Sequence, residues 1–306
     1  MGGAIFVQQG GNFIVAGNLS LNENSVTGGA GGFGTGANGS AFGSGIFLQG
    51  NGTITFQPTA GETATISDVI ADQTGSGGTG TNAGSWNLTK SGTGALVLSS
   101  KNNYTGTTTV NGGTLQVDGS IASSSLTMVN VGGTLGGNGT IGNTTVNGGM
   151  LAPIGTLTVR GNLVFTAASS YTVEVSPWNA NRTNVIGTAA LSGAKVNASF
   201  ALGSYVARQY PIVNATGGVT GKFGSLVNTN LPSGFKSTLS YDANDAYLTL
   251  VVDFGSLAGL NVNQQNVGNA LTNFFNVNGG IPVVFGTLTP AGLSQVSGEN
   301  ATATRR

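Results

Sequence analysis

A short strand–turn–strand unit occurs three times in the middle of the 306-residue chain. Its copies are Val110-Asn-Gly-Gly-Thr-Leu115, Val131-Gly-Gly-Thr-Leu135 and Val146-Asn-Gly-Gly-Met-Leu151, and each copy ends in a leucine. Apolar residues and threonine alternate around each glycine turn, which is typical of short β-strands. Repeats of about 20 residues without a helical pattern predict an all-β solenoid, whose coils stack about 4.8 Å apart in parallel register.

A second repeat lies nearer the amino end. The stretch Gly2–Gln8 resembles Ser44–Gln49, with Ile5 matching Ile46, and the same offset aligns Phe13–Val15 with Ile54–Phe56. An offset of this length predicts two coils of about 20 residues each. Alternation along these strands predicts inward stacks of apolar side chains on successive coils. The residues assigned to these stacks are Ile5, Val7, Ile46, Leu48, Leu96, Leu98, Leu115, Leu135 and Leu151, with Leu115, Leu135 and Leu151 in one column.

The composition excludes several classes of site. The chain has no cysteine and no histidine, so it can form neither a thiolate metal site nor a Ser-His-Asp triad. Carboxylate chemistry, a Ser–Lys or tyrosine nucleophile, or no chemistry at all remain. A formal net charge of zero argues against nucleic acid as a partner. No apolar run reaches the length of a membrane-spanning helix, and we expect no cofactor or metal.

The sequence pattern changes twice along the chain. From Leu163 the strands lengthen and aromatic residues become commoner, and from residue 255 a helical pattern appears. We therefore expect parallel coils over residues 1–162, a β cap over 163–254 and a partly helical connector over 255–306. The aromatic residues expected to seal the end of the coils are Trp178, Phe200, Tyr205, Tyr210, Phe223, Phe235 and Tyr241.

The connector contains signals for two helices. In the first, Val267, Leu271, Phe274 and Phe275 fall on one helical face. In the second, Thr289 precedes Pro290, which is the order of an N-cap followed by a helix start. The segment has too little apolar material to fold alone.

Residues 88–117 carry a longer recognisable pattern. It includes Leu88-Thr-Lys-Ser-Gly-Thr-Gly94, Leu96-Val-Leu-Ser99, Asn103-Tyr-Thr-Gly-Thr107 and Gly113-Thr-Leu115. This pattern resembles the autotransporter-associated β-strand repeat, the passenger-associated motif of type V secreted proteins. Further along, Tyr210–Val219 resembles the pertactin-like carboxyl-terminal cap, or autochaperone, of the same family.

The resemblance implies a right-handed parallel β-helix at the surface of a bacterium, tethered to its outer membrane. It also implies a translocator barrel as the partner of this chain. Neither that barrel nor a signal peptide is found in the sequence, so we expect the chain to be a segment of a longer protein. The function implied is a non-enzymatic stalk that presents more distal sequence and nucleates folding during export. An adhesive surface for host or neighbouring-cell glycans or proteins is the alternative, and a polysaccharide-degrading β-helix enzyme is the third.

Two groups of acidic residues are candidates for chemistry. Glu62, Asp68 and Asp72 form the best candidate for an acid site in the coils, because β-helix enzymes use clustered carboxylates. The alternative interpretation of these three residues is a solvated corner, and we favour it. Asp242 and Asp245 are expected to form a hairpin turn, with a calcium site as the less favoured alternative.

Overall fold

The chain forms a stack of three-stranded coils. The structure is a computed structural model that describes residues 3–32, 36–278, 285 and 288–298. The first three coils contain strands β1 (Ile5–Val7), β2 (Phe13–Val15), β3 (Leu19–Leu21), β4 (Ile46–Leu48), β5 (Gly52–Phe56), β6 (Thr63–Ile66), β7 (Ile70–Asp72), β8 (Trp86–Lys90) and β9 (Ala95–Leu98). The coils that follow contain β10 (Thr108–Val110), β11 (Gly113–Val117), β12 (Ser120–Ile121), β13 (Thr127–Asn130), β14 (Gly133–Gly137), β15 (Thr140–Ile141), β16 (Thr144–Asn147), β17 (Met150–Pro153) and β18 (Thr156–Val159).

The remaining strands extend the stack and then close it. They are β19 (Leu163–Phe165), β20 (Ser170–Val175), β21 (Arg182–Val185), β22 (Ala189–Ala190), β23 (Lys195–Phe200), β24 (Arg208–Ala215), β25 (Val219–Thr220), β26 (Ser225–Thr229), β27 (Phe235–Tyr241) and β28 (Asp245–Val252). Two helices follow, α1 (Val262–Asn278) and α2 (Pro290–Ser297), and short 3₁₀ turns occupy Gly80–Asn82 and Phe254–Ser256.

Two of the three sides of the stack are long parallel sheets. One nine-stranded sheet runs from β2 to β25 and the other from β3 to β26, and two shorter sheets, β1-β4-β7 and β12 to β27, form the third side. At about 4.8 Å per strand, nine strands extend about 40 Å. This architecture confirms the predicted parallel β-helix.

Apolar side chains stack in columns inside the coils. Leu115 pairs with Leu135, and Leu135 pairs with Leu151, so the three leucines lie in one column as predicted. All three are fully buried. Asparagines form a parallel column at a corner, where Asn130 donates to Asn111 at 2.7 Å and Asn147 donates to Asn130 at 3.3 Å. Both the interior and the corners therefore repeat from coil to coil.

The offset of the amino-terminal repeat corresponds to one coil and not to the two coils that we expected. Ile5 pairs directly with Ile46, and Phe13 pairs directly with Ile54. The offset between the two copies is thus one coil, and the prediction of two coils was wrong. Most of the additional residues lie between β3 and β4, in a glycine-rich insertion whose described residues form no strand. The alignment itself is confirmed, because it marks neighbouring strands.

The stack ends in antiparallel pairing. β24 continues the parallel sheet on β21 but pairs in the antiparallel sense with β28, which pairs in turn with β27. Parallel pairing continues past Leu163 as far as β26, so the division into units at residues 162 and 254 stays a prediction. The hairpin expected around Asp242 and Asp245 is confirmed by the β27–β28 pair.

Five of the seven predicted sealing aromatics are buried, whereas Tyr241 is half-buried and Trp178 is exposed. Phe165, Tyr171 and Phe223 form a cluster with ring centroids 5.7–5.9 Å apart. Trp178, which we expected to seal the coils, is 75% exposed. It lies in the turn between β20 and β21, where its side chain faces away from the interior. The prediction for Trp178 was therefore wrong.

The two predicted helices are present. Thr289 caps α2 by accepting a hydrogen bond from the Gly292 N–H, and Leu293 is fully buried. In α1, Phe275 is buried, whereas Phe274 is 59% exposed, so only part of the predicted apolar face contacts the protein.

Candidate functional site

The three candidate acids of the coils do not form one site. Glu62 and Asp68 lie on opposite sides of the four-residue strand β6, whose first and last residues are about 10 Å apart at 3.3 Å per residue. Glu62 accepts hydrogen bonds of 2.7 Å from the Thr59 N–H and hydroxyl, and these bonds lower the pKa of its carboxyl group. Asp68 instead accepts from the Asn24 side chain at 2.6 Å. Each carboxylate therefore fixes its own corner.

Asp72 is the most enclosed of the three acids. Its side chain is fully buried, and all of its hydrogen-bond donors are neutral. One oxygen accepts from the Gly75 N–H at 2.7 Å, and the other accepts from the Trp86 N–H at 3.1 Å and the Thr105 N–H at 2.6 Å. The Thr105 hydroxyl adds a fourth bond at 2.9 Å. Asp72 thus ties three successive pieces of chain together, and the interpretation as a solvated corner holds for Glu62 but not for Asp68 or Asp72.

Lys90 is a buried cation at a corner of the same coil. Its Nζ donates to the carbonyls of Ser91 at 2.8 Å, Gly92 at 3.1 Å and Gly112 at 2.9 Å. Burial lowers the pKa of Lys90 to about 8. The position of Gly113 requires glycine, because its φ is +60° and a Cβ would collide with the Gly94 carbonyl and the Lys90 Nζ. These contacts make Lys90 a brace between two corners.

The arrangement at Lys90 bears on the Ser–Lys alternative. A lysine that activates a serine must accept a proton from the hydroxyl, so its amine must contact that oxygen. The hydrogen-bond partners of Lys90 Nζ are three carbonyl oxygens, including the carbonyl, not the hydroxyl, of Ser91. Three acceptors around one amine favour its charged form locally and use all of its protons. Lys90 is therefore placed for structure and not for proton transfer.

Three buried hydroxyl groups, those of Tyr104, Thr108 and Ser124, form a hydrogen-bonded series. The Tyr104 hydroxyl is 2.8 Å from the Thr108 hydroxyl, which is 2.9 Å from the Ser124 hydroxyl. Ser124 donates onward to the Gly106 carbonyl at 2.8 Å. Burial raises the pKa of Tyr104 above its usual range. A tyrosine held protonated in this way is a poor nucleophile and a good brace between coils.

The acids of the β27–β28 turn are also used locally. One Asp242 oxygen accepts from the backbone N–H groups of Asn244 at 2.9 Å and Asp245 at 2.8 Å, and the other accepts from the Tyr247 hydroxyl at 2.8 Å. These bonds lower the pKa of Asp242 and raise that of Tyr247 to about 12. Within the described residues, no group of three or more acidic side chains is arranged to hold a metal ion. The turn is thus explained by its own hydrogen bonds.

Residues 88–117, which contain Lys90 and Tyr104, match the family model described as the passenger-associated-transport-repeat. The matched segment covers β8 to β11, where the two buried polar braces join successive coils. These findings confirm the resemblance to autotransporter passengers. The matched segment therefore includes two of the buried polar residues that fix corners of the coils.

Three curated proteins give further similarity. Two extracellular serine proteases of Serratia marcescens are 34% and 30% identical over 206 and 202 residues, which is 62% and 60% of this chain. The BmaC autotransporter adhesin of Brucella suis is 48% identical over 61 residues, or 20% of this chain. The chain spans only 19% of each protease and 2% of the adhesin. The relatives agree with the expected cell-surface or extracellular localisation.

The buried state of Lys90 was missed at the sequence level, although the sequence contains its signal. Trp86, Leu88 and Lys90 alternate along β8, and all three are fully buried. Alternation therefore assigns Lys90 to the inward face, but its charge led us to treat it as part of the motif and not of the core. Asp72 gives no comparable signal, because its donors come from distant turns.

Neither α1 nor α2, nor any other helix in the described part of the chain, combines the length and the apolar character that a membrane span requires.

Proposed function

We propose that the chain is a non-enzymatic stalk of an autotransporter passenger, which presents more distal sequence at the cell surface. The observation that carries the proposal is the continuous register of the coils, in which buried leucine columns and corner asparagines repeat over successive strands. A rod of this kind transmits position along its length and needs no cleft. The polar groups buried in it hold backbone corners, as Asp72 and Lys90 do.

The relatives named as proteases are compatible with this role. The sequence contains no histidine and no cysteine, so a Ser-His-Asp triad or a cysteine nucleophile cannot be built from this chain. Because the chain spans 19% of those relatives, a protease activity in such a protein would belong to other parts of it. The stalk would then hold that part away from the membrane.

We also propose that the carboxyl-terminal coils nucleate the folding of the rest during export through a translocator. They contain the cluster of Phe165, Tyr171 and Phe223 and the antiparallel hairpin that closes the last coil. The first coil is less complete, since its inward side chains Ile5, Phe13 and Val15 are only half-buried. A coil stabilises only its neighbours, so folding should spread from the end that is already covered.

Hydrogen–deuterium exchange of the full chain, followed by mass spectrometry, tests the stalk and its nucleus together. We expect the slowest exchange between residues 150 and 254 and progressively faster exchange towards residue 3, because the coils there bury less apolar surface. Uniform protection along the chain would support a stalk without a nucleus. Protection that is strongest at the amino end would contradict the nucleation proposal.

An adhesive surface is the second candidate, and one side chain favours it. Trp178 is 75% exposed, yet its turn is held rigidly by bonds from Arg208 to the Trp178 carbonyl at 2.8 Å and from Tyr210 to the Pro177 carbonyl at 3.2 Å. A rigidly presented tryptophan is a common anchor in recognition. Loss of glycan-array binding in Trp178→Ala, but not in Val131→Ala, whose side chain is equally exposed, would support adhesion.

A further inference from the structure

The outer face of one long sheet contains a pit. Alternate residues of β11, β14, β17 and β20 face outwards on this sheet. In one outward row Gln116 lies opposite Gly136, and Gly136 lies opposite Ala152. The register of β17 with β20 then puts Thr172 beside Ala152. Because Gly136 has no side chain and Ala152 has only a methyl group, the surface dips between Gln116 and Thr172.

The pit has the size of one sugar ring or one long side chain. Its volume is about 210 Å³, which equals roughly seven liquid waters at about 30 Å³ each. The Thr172 hydroxyl is shielded from solvent and has no hydrogen-bond partner in the described part of the chain. A ligand that bonds to it would satisfy a buried polar group. The lining combines the apolar Ala152, Pro153 and Ile154 with the hydroxyls of Thr114, Thr134 and Thr172 and the amides of Gln116 and Asn181.

A second hollow adjoins the pit. It encloses about 170 Å³ at the turn after β20 and shares Glu174 and Asn181 with the pit. The Asn181 side chain is held between the two, since it donates to the Pro153 carbonyl at 3.0 Å and accepts from the Gly155 N–H at 3.0 Å. The two hollows therefore form one short groove with a fixed amide at its middle. We call it the Glu174 groove.

The groove carries one charge, and that charge is negative. Of the residues that line the two hollows, all of them described, Glu174 is the only charged one. Its side chain is exposed on β20, and no lysine or arginine in the described part of the chain pairs with it. Gln116 Nε2 donates to Asp118 at 2.7 Å, which fixes the amide and leaves its oxygen as an acceptor. The groove thus favours a cation and disfavours an anion.

The polar groups are spread along the groove and do not converge on one point. Gln116 on β11 and Glu174 on β20 lie three strands apart, or about 14 Å at about 4.8 Å per strand. A sugar chain carries hydroxyl groups along its whole length, whereas a lysine side chain carries one polar group at its end. Two adjoining hollows with hydroxyl and amide linings therefore suit a sugar chain better than a basic side chain.

We propose that the Glu174 groove binds a glycan that contains a hexosamine residue with a free amine. The ring lies over Gly136 and Ala152, with its C–H groups against Ile154 and its hydroxyl groups bonded to the threonines of the pit. Its ammonium group pairs with Glu174, and the next sugar occupies the second hollow. The proposal gives the adhesive candidate a ligand class and a site whose lining does not include Trp178.

Saturation-transfer difference NMR with the full chain tests the proposal. The probe is the β-linked trimer of glucosamine at a slightly acidic pH, where its amines are protonated. The controls are the N-acetylated trimer and the corresponding glucose trimer. We expect saturable binding of the probe and at least about fivefold weaker binding of both controls, because charge-assisted hydrogen bonds are about twice as strong as neutral ones. Glu174→Gln should lower the affinity for the probe to that of the controls, whereas Glu23→Gln, at an exposed glutamate outside the groove, should not.

Filling the pit gives a second test in a folded protein. Ala152→Leu adds an outward side chain and removes no hydrogen bond, so it should weaken probe binding at least about tenfold with an unchanged circular dichroism spectrum, since the ring and the new side chain cannot share the pit. Ala152→Ser, which keeps the side chain small, should bind normally.

Several outcomes would overturn the proposal. They are equal binding of the N-acetylated trimer, unchanged binding in Glu174→Gln or Ala152→Leu, and no saturable binding at millimolar probe. Tighter binding of trilysine than of the probe would show that the groove takes basic side chains, and loss of binding in Trp178→Ala alone would place the glycan at Trp178. Both results would overturn it as well. None of these outcomes bears on the stalk role, which rests on the coil register.

Discussion

The coils over Thr108–Val159 and the coils over Ile5–Ile66 are built from the same strand pattern but differ in completeness. In the former, turns are short and the inward side chains are fully buried. In the latter, a glycine-rich insertion separates β3 from β4, and the strands of the first coil are mostly half-buried. In both regions the strands nevertheless pair in parallel, with equivalent positions of the repeat opposite each other. Local sequence therefore determines which strands pair, whereas the burial available determines how firmly they do so.

Removal of the carboxyl-terminal region should have the largest effect on the stability of the remaining coils. A fragment of residues 1–162 loses the aromatic cluster and the hairpin, and its last strands become open edges. We expect it to aggregate and to be digested rapidly by protease, whereas a fragment of residues 44–306, which lacks the first coil, should stay folded. Circular dichroism and limited proteolysis of the two fragments make the test. If residues 1–162 fold as stably as the whole chain, the nucleating role of the carboxyl-terminal region must be abandoned.

Leucine truncations should resolve the same difference at single positions. Leu135→Ala removes a fully buried side chain from the column and should lower the free energy of unfolding by about 2–5 kcal/mol. Leu19→Ala, in the half-buried strand β3, should cost about 1 kcal/mol, since less surface is lost from burial. Urea unfolding of both variants measures the contrast. Equal losses would show that the first coil is packed as well as the coil that contains Leu135.

Neutralising the carboxylates should separate a buried brace from a surface turn. Asp72→Asn replaces an oxygen that accepts hydrogen bonds with an amide donor, which leaves buried backbone N–H groups without a partner. We expect a loss of about 1–3 kcal/mol. Asp242→Asn, in the exposed β27–β28 turn, should cost less, because water can replace its partners. A larger loss for Asp242→Asn in urea unfolding would show that the hairpin and not the corner is the critical element.

Alternation and turn residues made much of the fold predictable. They assigned the leucine column, the hairpin at Asp242 and the start of α2 at Thr289, because each depends on neighbours in the sequence. They failed to predict features that depend on residues far away in the sequence. The spacing between Ile5 and Ile46 does not reveal that an insertion enlarges one coil, and the exposure of Trp178 depends on how its turn is held by Arg208.

The polar braces show the same limit. The sequence presents Glu62, Asp68 and Asp72 as a group because they are close along the chain. The structure separates them, since a strand carries the chain from one corner to the next before the third acid appears. Asp72 receives its donors from Trp86 and Thr105, which belong to later turns and could not be paired with it in advance.

We expect the buried Lys90 to make the free energy of unfolding depend on pH. Burial lowers its pKa to about 8 in the folded chain from 10.5, so between these values the unfolded chain binds more protons and the free energy of unfolding rises with pH. Buried tyrosines such as Tyr104 have raised pKa values and reverse the slope above about pH 10, where the unfolded chain ionises first. Urea midpoints should therefore rise from pH 8 to 9.5 in the native chain. Lys90→Met should abolish the rise, and Lys236→Met, at an exposed position, should retain it.

The smallest expected change concerns the tryptophan at the carboxyl-terminal coils. If Trp178 sealed the stack, its truncation would cost about 3–5 kcal/mol, as for a buried aromatic side chain. Its ring is 75% exposed, and the bonds from Arg208 and Tyr210 reach backbone carbonyls that alanine keeps. Trp178→Ala should therefore change the free energy of unfolding by no more than about 0.5 kcal/mol. Phe223→Ala provides the matched contrast, since Phe223 is buried between Phe165 and Tyr171 and its loss opens a cavity in the cluster. Comparable losses in the two variants would mean that Trp178 contributes to the closure of the coils after all, and that its exposure does not mark a surface for recognition.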